Sequence, residues 1–325
     1  MTPVPGRWSG VLVVVLAASL FGMLGTLSRV AYDDGLTPFA WVAWRALIGA
    51  AALGLVIIRR RGVRSSLDGL RAASRSARSW LAVAVAAGAF LNLAIFVAFE
   101  RTTIALALLA FYTYPAMVAA VSGLLGHERL DVTRRIALLL ALGGMVAVVA
   151  GGLEPGAAVT IDVLGVGLAL FAAACQTTFV VASRHYASIR TEEAMGAILL
   201  GSAAIAMVLS AVADGPAALA QPLGDPALLA LLAFVGVFAA ALPSFMFLSG
   251  IRRLGPVRAG ILMLFEPVVG VVLAAIALGE GVTLLQVVGG ATILLAAALV
   301  QRRADVRSGG SSLTEAPVVP APGGP

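Results

Sequence analysis

Long apolar stretches separated by short polar segments dominate this chain. Ten stretches are long enough to cross a bilayer as helices, at about residues 9–31, 37–58, 80–99, 103–125, 134–151, 162–182, 192–213, 226–250, 257–278 and 283–300. A crossing helix needs about 20 mostly apolar residues. None of the stretches alternates apolar and polar residues, which excludes a transmembrane barrel. The pattern predicts an all-α polytopic membrane protein with ten transmembrane helices.

An internal repeat accompanies this pattern. The segments YTYPAMVAAVSGLLGHERL and LFEPVVGVVLAAIALGEGV each place a glutamate thirteen residues after a proline, at Pro115/Glu128 and Pro267/Glu280, and the two pairs lie 152 residues apart. We therefore predict a first five-helix repeat at residues 9–151 and a second at residues 162–301. Residues 1–8 and 302–325 form the two terminal segments. Because five is odd, the second repeat is expected to be inverted in the membrane, as in transporters that work by alternating access. The tail, rich in Gly, Ser and Pro, is expected to be disordered.

Composition and charge fit a membrane protein and predict its orientation. Hydrophobic residues make up 61% of the chain and charged residues 12%, whereas soluble domains are about 45–50% apolar. All 22 basic residues are arginines, and nineteen lie on one side if the N-terminus is cytoplasmic, seven of them in the Arg-rich loop 59–79. This bias predicts that both termini are cytoplasmic. We interpret the net charge of +6 as a topology signal and expect no nucleic-acid partner.

The residue inventory argues against an enzyme. The chain has no lysine, so a Walker phosphate loop and Schiff-base chemistry are excluded. His127 and His185 lie at predicted helix ends, where neither a buried Ser-His pair nor a zinc motif is expected. Cys175 is the only cysteine and is expected to be a packing residue. We predict no catalytic residue, no metal site and no cofactor.

Two charged residues lie inside predicted spans. Arg45 is eight residues into the second span, about 12 Å deep, and Glu266 is nine residues into the ninth, about 14 Å deep from the other side. A charge at mid-depth costs roughly 2.5–3.5 kcal/mol on insertion scales, so each residue needs a partner or a hydrated cavity. Two readings remain open, a static ion pair between them or a pathway site that contacts an ionised substrate or a proton.

Other candidates on the substrate pathway are polar or aromatic residues within the spans: Trp41, Asn92, Tyr112, Tyr114 and Gln176. Each residue of this kind more often forms an interhelical hydrogen bond than it contacts a ligand. Pro115 and Pro267 are expected to kink their helices and free a carbonyl group one turn earlier. Small residues in Ala46-xxx-Ala50-xxx-Gly54 and Gly143-xxx-Ala147-xxx-Gly151 predict close helix packing.

These features resemble a known family. The stretch WVAWRALIGAAALG from Trp41, the segment YTYP…GLLGHERL from Tyr112 and the segment LFEPVVG…LGEG from Leu264 are similar to the EamA family of the drug/metabolite transporter superfamily. The resemblance covers about residues 10–300. It implies a ten-helix permease of the bacterial inner membrane, commonly an exporter of amino acids or related metabolites. The family's second-span arginine matches Arg45, and its Glu-Pro matches Glu266 and Pro267, whereas Phe21-Gly22 replaces the more usual Trp-Gly.

The sequence therefore predicts a secondary transporter for a small polar metabolite, with protons as a candidate coupling ion and the lipid bilayer as its surroundings. Outward transport rests on the resemblance alone. An uptake permease or facilitator for a similar solute, and a membrane subunit that does not transport, are the alternatives. The residues leave a monomer and a homodimer open.

Overall fold

The computed structural model describes residues 5–65, 67–126, 131–152, 162–278 and 282–309. Within these ranges the chain forms helices and no strand. Glu128, Glu280 and His127, which the sequence analysis singled out, lie outside the described residues, as does most of the tail.

The helices, in chain order, are α1 (Pro5–Phe21), α2 (Leu24–Asp33), α3 (Pro38–Ser65), α4 (Asp68–Ala72), α5 (Arg75–Arg101), α6 (Ile104–Phe111), α7 (Tyr114–Leu124), α8 (Val132–Gly151), α9 (Val163–Ala182), α10 (Thr191–Ala213), α11 (Pro216–Ala220), α12 (Pro226–Phe234), α13 (Leu242–Leu254), α14 (Pro256–Met263), α15 (Glu266–Leu278) and α16 (Leu284–Gly309). A 3₁₀-helix, Gln221–Gly224, precedes α12, and a π-helix, Val235–Ala241, joins α12 to α13.

Eight helical stretches of the described chain are long and apolar enough to cross a membrane: Ser9–Asp33, Pro38–Gly62, Arg75–Arg101, Ile104–Leu124, Val132–Gly151, Val163–Ala182, Thr191–Ala213 and Pro226–Leu254. They correspond to the first eight predicted spans. The ninth predicted span is the pair α14–α15, and the apolar part of α16, Leu284–Leu299, is shorter. Large apolar side chains such as Leu139 and Val212 are 69% and 81% exposed on the bundle surface, which fits contact with lipid. The chain is therefore a multi-pass membrane protein, while the number ten stays a prediction.

Two spans are broken at equivalent points of the repeat. The first break separates α6 from α7 at Tyr112 and Thr113, and the second separates α14 from α15 at Leu264 and Phe265. Helix α14 begins and ends 152 residues after α6 begins and ends, and the same number of residues separates Pro115 from Pro267. Each proline is the second residue of its half-helix, where the missing N–H group has no intrahelical partner to lose. The expected kinks are thus full breaks.

A third irregularity, the π-helix Val235–Ala241, brings two helices into close contact. Pro243 follows this segment and cannot donate the hydrogen bond that would continue a regular helix. A Cβ atom on Gly236 would lie 2.8 Å from Cβ of Ile48 and 3.0 Å from the Arg45 carbonyl oxygen. Glycine at this position therefore lets the π-helix pack directly on the turn of α3 that carries Arg45.

The two repeats interdigitate in the bundle. The most extensive helix contacts join α8 to α16, α5 to α9, α3 to α10 and α1 to α13, and each of these pairs takes one helix from each half of the chain. Between α8 and α16 the backbones approach closely, because a Cβ atom on Gly144 would lie 2.6 Å from the Gly289 carbonyl oxygen. The space between the repeats is thus enclosed by helices from both.

The structure differs from the predicted Arg-rich loop at 59–79. Helix α3 continues to Ser65 with one non-helical residue, Gly62 (φ 78°), and α5 begins at Arg75. Arginine favours helices, and a membrane limits only the apolar part of a helix, so α3 and α5 can continue past their apolar parts. Likewise α16 runs on to Gly309, into the tail expected to be disordered.

Candidate functional site

A cavity of about 380 Å³ lies between the two repeats. Most of the predicted pathway residues line it: Arg45, Asn92, Tyr112, Tyr114, Gln176, Glu266 and Pro267. Its remaining surface is mainly apolar, with aromatic rings such as Phe96, Phe111 and Phe179. An apolar cavity with a few convergent polar groups is the usual form of a small-molecule site.

Arg45 enters the cavity from α3 and is held by α5. It is 4% exposed, and its guanidinium donates a hydrogen bond to Oδ1 of Asn92. The guanidinium carbon also lies 4.4 Å from the centre of the Phe96 ring. Both contacts come from one face of α5, since residues four positions apart on a helix are neighbours. The partners of this cation are therefore an amide and an aromatic ring, with the Tyr32 phenol also close enough to interact, and all three are uncharged.

Glu266 is the first residue of the half-helix α15, immediately after the break. The N-terminus of a helix favours a negative charge, because its first N–H groups have no intrahelical partners. The side chains of Tyr112 and Tyr114, from the equivalent break, lie close to its carboxyl group. The Tyr112 hydroxyl is buried, and the Glu266 side chain is the group with which it interacts. The two breaks thus bring a carboxyl group and two phenols together.

Arg45 and Glu266 do not form an ion pair. Among the described residues, the pairs within 4.0 Å involve Arg61, Arg101 and Arg190, and none involves either cavity charge. The static ion pair considered from the sequence is therefore absent from this conformation. Both charges instead line the same cavity, each with neutral neighbours.

Gln176 completes the polar part of the cavity near Tyr114, and Thr177 lies beside it on α9. The side chains of Gln176 and Tyr114 are close enough to interact, and the Thr177 hydroxyl donates at 2.9 Å to the Ala173 carbonyl oxygen. Gln176 is 8% exposed and lines the cavity. It is placed to present an amide to a bound molecule.

Two of the predicted residues do not line the cavity. Trp41 is fully buried, and its ring meets those of Tyr32 and Phe96 edge-on at 6.5 and 6.2 Å. Pro115 packs against α14, where a Cβ atom on Gly260 would lie 3.6 Å from Pro115 Cβ. Both residues therefore pack against elements that line the cavity and have no place in the lining themselves.

Phe96, Ser202 and Ser244 are among the lining residues that were not predicted from the sequence. Phe96 could have been found, because it follows Asn92 by one helical turn and shares its face. The serines gave no such signal, since single serines in apolar helices are common.

The cavity reaches one end of the bundle and stops short of the other. Its lining includes Ile104 at the start of α6, Gly152 just after α8 and Gln286 near the start of α16, which all lie at one end. Towards the other end the lining extends to Met195, a turn inside α10, and to Phe247 in α13.

A polar network closes that other end. Glu193 is 2% exposed; its carboxylate accepts a hydrogen bond at 3.0 Å from the Leu70 N–H group and lies 3.7 Å from both Arg61 and Arg190. Arg252 donates at 2.7 Å to the Ile189 carbonyl oxygen. These contacts tie α3, α4, α10 and α13 together on this face. Beside them, burial raises the pKa of Tyr186 above its ordinary value.

At the end that the cavity reaches, Asp162 caps α9 by accepting hydrogen bonds from the N–H groups of Leu164 and Gly165. Arg101 lies 3.0 Å away. These N–H groups, followed by the Arg101 charge, hold the pKa of the Asp162 carboxyl group below its usual value.

A multi-pass helical bundle with a mainly apolar, partly charged cavity between two repeats defines a membrane protein built to accommodate a small solute. A family model identifies it further, since the model of the EamA-like transporter family matches residues 8–150 and 163–302. The chain belongs to this family of membrane transporters.

Solved structures support the fold. Twenty-nine chains match. One, described only as the crystal structure of a protein, has a TM-score of 0.76, is 23% identical, and the match covers 93% of this chain and 99% of that one. At this identity the likeness shows the fold alone. No curated protein matches the sequence.

Proposed function

We propose that this protein is a secondary transporter that exports small polar metabolites, such as amino acids or their derivatives, by alternating access. The observation that carries the proposal is the cavity shared by the two repeats, with one guanidinium and one carboxyl group that do not pair. A zwitterionic solute offers a negative group to Arg45 and a positive group to Glu266. Its apolar part would contact the aromatic rings.

The shape of the cavity supports the alternating-access part of the proposal. If the N-terminus is cytoplasmic, as the arginine bias predicts, the end that the cavity reaches is external and the Glu193 network is cytoplasmic. The structure would then represent an outward-facing state. Inward opening would require the contacts of Glu193 and Arg252 to separate, and inverted repeats provide two such symmetric states.

Glu266 is the candidate for coupling transport to protons or to the charge of the solute. Glu266→Gln keeps the volume of the side chain and removes its ionisation. We expect this variant to reach the membrane in normal amount and to lose transport. Glu100→Gln is the matched control, because Glu100 is exposed at the end of α5 and lies outside the cavity lining.

The test measures tolerance of producing cells to a panel of toxic amino-acid analogues, followed by flux in everted membrane vesicles. Export predicts increased tolerance with the wild type and with Glu100→Gln, and none with Glu266→Gln. Increased sensitivity would indicate uptake instead. A flat panel without vesicle flux would favour a subunit that does not transport and would refute the proposal.

A further inference from the structure

We propose that the Arg45 guanidinium is a binding subsite for the carboxylate of the transported solute, and that Asn92 and Phe96 are positioning residues that hold it. This inference rests on the proposed function and adds the chemical group that the site recognises. It depends on a buried cation whose contacts, within the described ranges, are all with uncharged groups.

The Asn92 amide has a defined orientation. Its Nδ2 group donates at 2.7 Å to the Gly88 carbonyl oxygen one turn earlier on α5, so the amide oxygen must face Arg45. That oxygen accepts a hydrogen bond from one terminal nitrogen of the guanidinium. Asn92 thus fixes one edge of the guanidinium without neutralising its charge.

Phe96 supports the flat face of the same guanidinium. The guanidinium carbon is 4.4 Å from the ring centre, within the range of a cation–π contact. The ring is itself held edge-on by Trp41 at 6.2 Å and by Phe99 at 5.4 Å. Trp41, one helical turn before Arg45 on α3, therefore supports the Arg45 site through Phe96 although it lies outside the cavity.

Among the described residues, no anion balances the positive charge of Arg45. Its Nε atom is buried and has no hydrogen-bond partner in the part of the chain that the structure describes, whereas Arg61 and Arg101 contact Glu192 and Asp162 respectively. A buried charge is costly unless it is paired and hydrogen-bonded. A carboxylate binds a guanidinium through two parallel hydrogen bonds, so an incoming carboxylate would supply both the missing charge and the missing acceptor.

Asn92→Asp tests this arrangement directly. The substitution preserves the shape of the side chain, loses the Nδ2 donor to the Gly88 carbonyl oxygen and places a fixed carboxylate against Arg45, which would satisfy the cation internally. The protein is expected to fold, because the new charge is paired. Phe96→Leu is the second variant, which keeps the charge of Arg45 and removes only the support of its face.

The measurement is the apparent unfolding temperature of the purified protein in detergent at constant ionic strength. The probes are acetate, benzoate and L-phenylalanine, with chloride and L-phenylalaninamide as controls that lack a carboxylate. We expect at least one carboxylate, and neither control, to raise the unfolding temperature of the wild type. The shift should disappear in Asn92→Asp and decrease in Phe96→Leu.

Two results would overturn the subsite. One is a wild type that no carboxylate stabilises beyond chloride, and the other is an Asn92→Asp variant that responds as the wild type does. Failure of the proposed function gives a different result, because carboxylates would still stabilise the wild type while vesicles show no flux. Conversely, equal transport of an amino acid and its amide would refute the subsite and leave transport intact.

Discussion

The absence of an ion pair between Arg45 and Glu266 can be tested by a double-mutant cycle on stability. The variants are Arg45→Met, Glu266→Gln and the combination. Arg45→Met loses a charge-assisted hydrogen bond, worth about 1.5–3 kcal/mol, and also removes the cost of a charge at mid-depth, roughly 2.5–3.5 kcal/mol. Because these contributions oppose each other, we expect the single change to alter the free energy of unfolding by less than about 2 kcal/mol.

The coupling free energy between the two substitutions distinguishes a static ion pair from two independent sites. Sites without shared partners add to within about 0.5 kcal/mol, and we expect this of Arg45 and Glu266. A buried ion pair behaves differently, because removing one partner costs about 3–5 kcal/mol and removing both restores much of it. The half-exposed pair Arg61 and Glu192 is the control, with an expected coupling of about 0.2–1 kcal/mol.

The assay is reversible unfolding in mixed micelles followed by circular dichroism, which needs no knowledge of the substrate. A coupling above about 2 kcal/mol between Arg45 and Glu266 would exceed what independent sites show. That result would refute the reasoning and restore the static ion pair. Recovery of normal expression only in the double variant would point the same way.

Two further predictions concern packing and closure. Gly144→Ala should destabilise the protein by about 1–3 kcal/mol through overpacking, because its Cβ atom would lie 2.6 Å from the Gly289 carbonyl oxygen. Gly143 faces open space, so Gly143→Ala should not destabilise the protein. Equal unfolding temperatures of the two variants would contradict the packing. Glu193→Gln should lower the unfolding temperature more than Glu192→Gln does, because Glu193 is 2% exposed and has more partners. A larger decrease of the unfolding temperature in Glu192→Gln would show that Glu193 is not the centre of the network.

The sequence by itself determined the elements that the bilayer constrains. Apolar runs located the first eight spans, since only helices satisfy the backbone in lipid. The repeat of the two prolines fixed where two spans break. Arg45 and Glu266 were recognisable as site candidates because a charge in the middle of an apolar helix is costly and calls for a specific environment.

Only the tertiary structure decided how the helices are rotated and paired. Small residues predicted close packing, and Gly151 confirms this, because a Cβ atom there would lie 2.7 Å from Thr283 Oγ1. Gly143 and Gly54 instead face open space, while the adjacent Gly144 and the nearby Gly49 form further close approaches. An apolar helix surrounded by lipid has no polar face that fixes its rotation, so neighbouring helices set it.

The same reason explains the site. Trp41 was a candidate for the substrate pathway as an aromatic residue within a span, but the packing of α3 on α5 places it behind Phe96. Depth along a helix follows from sequence, and so Arg45 and Glu266 could be placed at similar depths. Whether they meet depends on the lateral arrangement of helices far apart in the chain, which here gives Arg45 an amide and an aromatic ring as its partners.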